Sequence, residues 1–306
     1  SVSSTANKID SNTITKCYAF AGIYLSYSGR NLIANNIITK CSCGIYLAYS
    51  GNNLVVNNTM TDNHYNFGVD GSFLSHFIQD IDFSNTVNGK TVYYLVNQKK
   101  PFVIGPSRFP NAGYLGVVNS TNLMIQNLDL TNNVQGILLA YTNNSTIENL
   151  NVSRNDVGIL LFESADNKIN NNIASNNLYG IRLENANNNE VRNNTIESNG
   201  AGAIYLYMSN RNMIAENSMS HIELLALAIE SSIENTILEN DILNSEFAMA
   251  LWLSSYNSIY ANNLTNNKWA ILLLPASDNN TICHNNFINN LVQVWNFALT
   301  KNVWDR

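Results

Sequence analysis

The residues best suited to bind a metal or cross-link the chain lie near its start. Cys17, Cys41, Cys43 and His64 each come shortly before one of three glycines, Gly22, Gly44 and Gly68. If each glycine marks one turn of a repeat, the thiols and the imidazole stack near one corner. Soft thiolates with an imidazole suit Cu(I) or Zn²⁺. The same thiols suit a disulfide, Cys17 with Cys41 or with Cys43, in an oxidising compartment. Fortuitous proximity is the third reading. The disulfide is favoured, and no metal or cofactor is expected. Cys283 has no partner in this register and is free or bonds another molecule.

Carboxylates are the next source of chemistry, because paired acids on an exposed sheet can cleave a sugar by acid–base catalysis. Glu163, Glu184 and Glu230 fall at nearly the same place in successive repeats, with Tyr207 between the last two. Glu163 and Glu184 are therefore the one close pair. Asn-Thr-Asp, Asp-Asp, Gly-His-Gly and Arg-x-Lys, the ordered set of polygalacturonase-like enzymes, are all missing. The acids read as a solvated surface row, and no catalytic residue is expected.

What must position these groups is a repeat of about 22 residues. A small residue recurs at Gly22, Gly44, Gly68, Gly136, Gly158, Gly180, Ala203, Ala226, Ala248 and Ala270. Eleven residues after most of these stands a branched aliphatic, as at Ile33, Ile147, Val191 and Ile259, and three later an Asn, as at Asn36, Asn194 and Asn262. Such a period means a solenoid. Within each unit apolar residues alternate at period two, the mark of short strands. Strands without helices at this period fit a single-stranded right-handed parallel β-helix of about a dozen coils. Stacked like residues form ladders, and inward Asn amides would bond the coils above and below. Residues 70–113 depart from the pattern, with three prolines, a strong strand at Thr91–Val96 and a loop around Gln98–Asn111. Gly68 to Tyr114 spans 46 residues, so the expectation is two irregular coils in phase within one domain over 1–306.

The first strand of each repeat is apolar on both faces. Two residues after the small residue come Tyr24, Tyr46, Leu138, Leu160, Arg182, Tyr205, Ala228, Ala250 and Leu272, and four after it Phe162, Tyr207, Trp252 and Leu274. A strand with one wet face should alternate, and contiguous exposed apolar surface marks a partner. That partner is the Gln98–Asn111 loop, a second copy of the chain, or a glycan stacked on Tyr and Trp, with Tyr27 and Tyr49 among the aromatics. The long run favours a protein neighbour. Segment 297–306 could fold over the last coil with Trp304 as plug.

Net charge is −6 with 12% charged residues, which leaves no basic face for nucleic acid. Apolar runs are too short to span a membrane. Sequons at Asn57, Asn119, Asn144, Asn151, Asn193, Asn263 and Asn279 lean toward an exported protein.

The repeat text NNI…GIYL…SGNNLVVNN resembles the NosD-like family, also called the carbohydrate-binding and sugar-hydrolase repeat. Segments 84–97, 113–122, 136–145 and 284–294 are similar to archaeal cell-surface proteins. The resemblance implies the β-helix over the whole chain, and its copper-handling members supply no mapped site here. The expected function is a non-enzymatic structural protein of the cell envelope that self-associates through its apolar face and open ends. The alternatives are a carbohydrate-binding or adhesive module, then a lyase, a hydrolase or a copper-handling protein.

Overall fold

The computed structural model describes residues 6–297 and 300–304. It is a parallel β-helix of short strands with one four-residue helix, Leu74–Phe77. Coils turn at residues with φ near +55°, and many of these precede an inward Asn. Asn35, Asn57, Asn171 and Asn193 hold φ between 53° and 56° ahead of Asn36, Asn58, Asn172 and Asn194. Asn tolerates this left-handed region because its short side chain bonds locally. The next residue then turns its amide into the corner.

Those amides form the expected ladder. Asn194 donates from both its backbone N–H and its Nδ2 to Asn217 Oδ1, at 3.0 and 2.9 Å. Asn217 does the same to Asn240, and Asn240 to Asn262, each bond 2.9–3.0 Å long. Nδ2 also reaches a backbone carbonyl of the preceding coil, as from Asn217 to Val191 at 2.9 Å. These corners thereby satisfy polar groups that would be costly to bury unpaired. Behind the ladder, Ile147, Ile169, Val191, Ile214, Ile237 and Ile259 form a fully buried column.

The phase does not carry through residues 70–113, which corrects the in-phase reading. Thr86–Val87 and Lys90–Val96 form an antiparallel hairpin around Asn88-Gly89, both with positive φ. Asn-Gly suits such a two-residue turn. One 14-stranded sheet passes through this hairpin, so its strands run one way before it and the opposite way after it. The core changes sides with them. Val92, Tyr94, Tyr114 and Leu138 pack with the N-terminal core, whereas Tyr93, Leu95, Leu115 and Leu139 belong to the C-terminal one. Two solenoid cores thus share a wall.

That wall answers the question of the apolar outer face. Leu138, Leu160 and Phe162 are buried, and what buries them is the N-terminal solenoid. Val134 N–H donates to Phe67 carbonyl at 2.9 Å, and Gly68 lies so close that a Cβ there would meet Val134 at 2.5 Å. The Gln98–Asn111 excursion is not the cover. Its strand Phe102–Ile104 pairs parallel with Leu123–Gln126 and opens the C-terminal stack. At the far end residues 298–299 and 305–306 of the expected plug lie outside the described residues. Val303–Trp304 continues the sheet beside Thr281–Cys283, leaving Trp304 exposed.

Candidate functional site

The outer face of the C-terminal sheet carries two adjoining rows set by strand register. One runs Leu160, Arg182, Tyr205, Ala228, Ala250, Leu272. Beside it runs Phe162, Glu184, Tyr207, Glu230, Trp252. Where these rows emerge from under the N-terminal coils, a cavity of about 340 Å³ opens. Its wall gathers Asp70, Asp156, Arg182, Glu184, Gln135 and Tyr207.

Each acid arrives from a different element. Asp70 ends the strand Tyr65–Asp70, Asp156 precedes Val157–Phe162, and Glu184 ends Tyr179–Glu184. Asp70 accepts hydrogen bonds from Tyr46 Oη at 3.2 Å and from Gly71 N–H at 2.7 Å. Arg182 Nε stands 2.5 Å from Glu184 Oε1. The contact is an ion pair by distance, but its direction is not that of a hydrogen bond. The guanidinium also lies over the rings of Tyr179 and Tyr205, at 5.3 and 5.5 Å.

Burial pushes both half-buried acids, Asp156 and Glu184, above the ordinary carboxylate range. The Arg182 charge opposes that rise, and the nearby Asp70 adds to it; His64 also pulls Asp156 back. An acid with raised proton affinity beside a second carboxylate is the arrangement that acid–base cleavage uses. Burial, reinforced by Asp70, holds the Tyr46 hydroxyl well above its usual range, so it stays a donor.

Further along the same rows lies a second cavity of about 240 Å³. Gly202, Ala228 and Ala250 line it as small residues, beside the larger Tyr179, Tyr205, Trp252 and Leu274. Tyr205 Oη is hydrogen-bonded to Glu230 Oε2. From Glu184 to Trp252 is three strand steps, about 14 Å at the usual inter-strand spacing.

The residues expected from sequence divide between these places. Leu160, Phe162 and Tyr207 line the polar cavity, while Tyr205, Trp252 and Leu274 line the apolar one. Tyr46 holds Asp70, and Tyr24 stacks on Tyr46 at 5.7 Å while remaining exposed. Leu138 and Leu272 are buried. Glu163 and Glu184 are not a pair: Glu184 registers with Phe162, and Glu163 is the exposed turn residue after it. Asp70 and Asp156 went unmarked because the chain reversal, and no repeat spacing, brings them together. Of the sequons, Asn57, Asn144, Asn193 and Asn279 are exposed at corners, Asn151 is exposed within a parallel bridge row, and Asn119 and Asn263 are half-buried.

The cysteines do not pair, which corrects the disulfide expectation. All four are free. Cys17 and Cys41 occupy the ladder column that Asn63 continues. Cys17 N–H donates to Cys41 Sγ at 3.3 Å, and Cys41 N–H to Asn63 Oδ1 at 2.9 Å. Each thiol faces the carbonyl two residues back, Thr15 and Thr39, as the ladder amides do. Cys43 instead meets the Ile45 carbonyl beside Tyr65 and Asp156.

Fold and groove together define a parallel β-helix protein with an acidic, aromatic-lined cleft on its outer sheet. The family model for periplasmic copper-binding protein (NosD) matches residues 2–97, 83–245 and 179–306. The chain belongs to the NosD family. A comparison with curated proteins finds no match. Among solved structures, DFA-IIIase from Arthrobacter chlorophenolicus A6 in complex with GF2 is similar with a TM-score of 0.52 and 10% identity, over 97% of this chain and 83% of that one. The Agl-KA catalytic domain gives 0.51 and 14%, over 97% and 62%. The Azotobacter vinelandii mannuronan C-5 epimerase AlgE4 A-module gives 0.48 and 11%, over 97% and 90%.

These findings correct the expected function. DFA-IIIase and the Agl-KA catalytic domain, which share this fold, are named for enzymatic activity, and the first part of the apolar row reserved for self-association, Leu138, Leu160 and Phe162, is covered by the chain's own N-terminal coils. The reading as a non-enzymatic, self-assembling structural protein does not stand. Copper, which the family's description implies, does not fit the donors either. Among the described residues no three His, Cys, Asp or Glu groups converge to hold an ion. Burial pushes the Cys41 and Cys43 thiols up to about 11 and about 12, away from the thiolate a soft metal takes.

Proposed function

We propose that this protein is a carbohydrate-active enzyme that holds a glycan along the outer rows and cleaves it at the Asp70–Asp156–Glu184 cluster. The observation that carries this reading is that three carboxyl groups, brought by three separate elements, line one cleft. Asp156 and Glu184, with their raised protonation, suit the general acid, and Asp70, held as an acceptor by Tyr46 and Gly71, suits the base. Tyr205, Tyr207 and Trp252 offer rings on which sugar faces stack. Action outside the cytoplasm, in the cell envelope or beyond, agrees with the family's periplasmic description. Among the described residues no helix is long and apolar enough to cross a membrane.

The test is incubation with a panel of polysaccharides, with products read by reducing-end release and mass spectrometry. Asp156→Asn and Glu184→Gln should each lower turnover about 10²- to 10⁴-fold while glycan binding persists. Turnover that survives both substitutions removes the assignment. Binding without any product favours a lectin-like role for the same cleft.

A further inference from the structure

We infer that the glycan this cleft takes carries no carboxylate or sulfate groups. The inference rests on the cleft being a carbohydrate site, and it adds the charge class of the substrate. The two adjoining cavities are lined by four carboxyl groups, Asp70, Asp156, Glu184 and Glu230, against one cation, Arg182. That guanidinium is already engaged, 2.5 Å from Glu184 and over two tyrosine rings. An acidic sugar is recognised by Arg or Lys placed to meet its carboxylate, usually as a fork of two hydrogen bonds. Among the described residues no second guanidinium or ammonium lines either cavity to do this.

The histidines nearby do not supply the charge. His76 faces Asp70, and burial lowers its affinity for a proton. His64 lies against Tyr65, with ring centroids 4.3 Å apart and the planes tilted, and acts on Asp156 from the N-terminal coils, outside both cavity linings. An anionic polymer laid along the rows would therefore meet like charge at Asp70 and Glu230, with the one lining guanidinium already engaged by Glu184, and clefts of one sign repel ligands of that sign. The remaining surface is apolar or aromatic, with Ala228 and Ala250 leaving room beside Tyr205 and Trp252. Such a surface rewards ring faces and hydroxyls.

The experiment compares binding of neutral oligosaccharides (β-glucan, xylan, mannan and fructan) with polygalacturonate and alginate oligomers of equal length. Calorimetry is run on the full chain at low and high salt, with added calcium and with chelator. At least one neutral glycan should bind tenfold or more tightly than any acidic one at low salt, with an affinity that salt barely changes. Glu230→Lys, which reverses one charge beside Trp252, should narrow the gap. Acidic oligomers binding as well as or better than every neutral one, with or without calcium, would overturn the inference and leave the carbohydrate site standing. Binding of no glycan at all overturns both.

Discussion

Phe77, from the N-terminal coils, packs against Phe162, from the outer face of the C-terminal coils, with ring centroids 5.1 Å apart. Between them they close the N-terminal core: Tyr94 Oη donates to the Phe77 carbonyl at 2.6 Å, and Phe67 meets Tyr114 edge-on at 4.9 Å. The same wall holds the strand that ends at Asp70, since Val134 N–H donates to the Phe67 carbonyl, and so sets Asp70 on the cleft with Asp156 and Glu184. Truncation by Phe77→Ala should cost roughly 3–5 kcal/mol, as for other fully buried aromatics. Denaturant unfolding measures the loss, and turnover should fall with it as Asp70 shifts. An unchanged midpoint would mean the two cores do not depend on each other.

The ladder makes a second demand. Asn217 accepts two bonds from Asn194 and donates to Val191 and Asn240. Asn217→Ala leaves several buried groups unpaired at about 1–3 kcal/mol each. The expected result is a urea midpoint well below that of a corner-surface change such as Glu216→Ala. Equal midpoints would contradict the ladder's role.

Cys41 stands where an Asn would continue that column. Cys41→Asn should raise stability by about 1 kcal/mol, since an amide donates and accepts better than a thiol at the same slot. Thermal unfolding decides it, and a lower melting point would show the site is shaped for sulfur.

The acids of the cleft give stability a sign with pH. Asp156 and Glu184 hold protons in the folded state above their ordinary values of 3.8 and 4.5. Through that window the folded chain binds more protons than the unfolded one, so their contribution to stability falls as pH rises, until both are ionised in both states. Asp156→Asn with Glu184→Gln should flatten that slope in urea midpoints taken across the window. A slope unchanged by the double substitution would place the raised groups elsewhere.

Trp252 tests the aromatic end. Trp252→Ala should weaken glycan binding by roughly 0.5–1.5 kcal/mol, two- to tenfold in Kd, with little effect on folding, because the ring is exposed. Leu138→Ala, in the shared wall, should do the reverse. If both variants bind alike, the rows are not the binding surface.

The coils themselves were legible because parallel stacking puts one residue type at one place in every turn, so Ile147 through Ile259 and Asn172 through Asn262 announce the fold. The outer rows were legible for the same reason. The site was not. Asn88-Gly89 is a strong hairpin signal, yet arithmetic from Gly68 to Tyr114 suggested unbroken phase, and nothing in a repeat reports that a sheet has changed the side on which it holds its core. Asp70 and Asp156, 86 residues apart, therefore looked unrelated. A slip of one residue did the rest, pairing Glu184 with Glu163 when its true neighbour is Phe162.

The shared wall also sets a timetable. Residues 6–70 leave the ribosome before residues 134–162, but the surface that completes their core includes Leu138, Leu160 and Phe162. At ordinary synthesis rates the 92 residues from Asp70 to Phe162 take about 5–18 s. During that interval the nascent coils display Phe67, Val69 and Phe77 with no wall to receive them, the state in which chaperones hold a chain and aggregation competes. A ribosome stalled before residue 134 would present an open half-solenoid, and one stalled well beyond residue 162 a closed one.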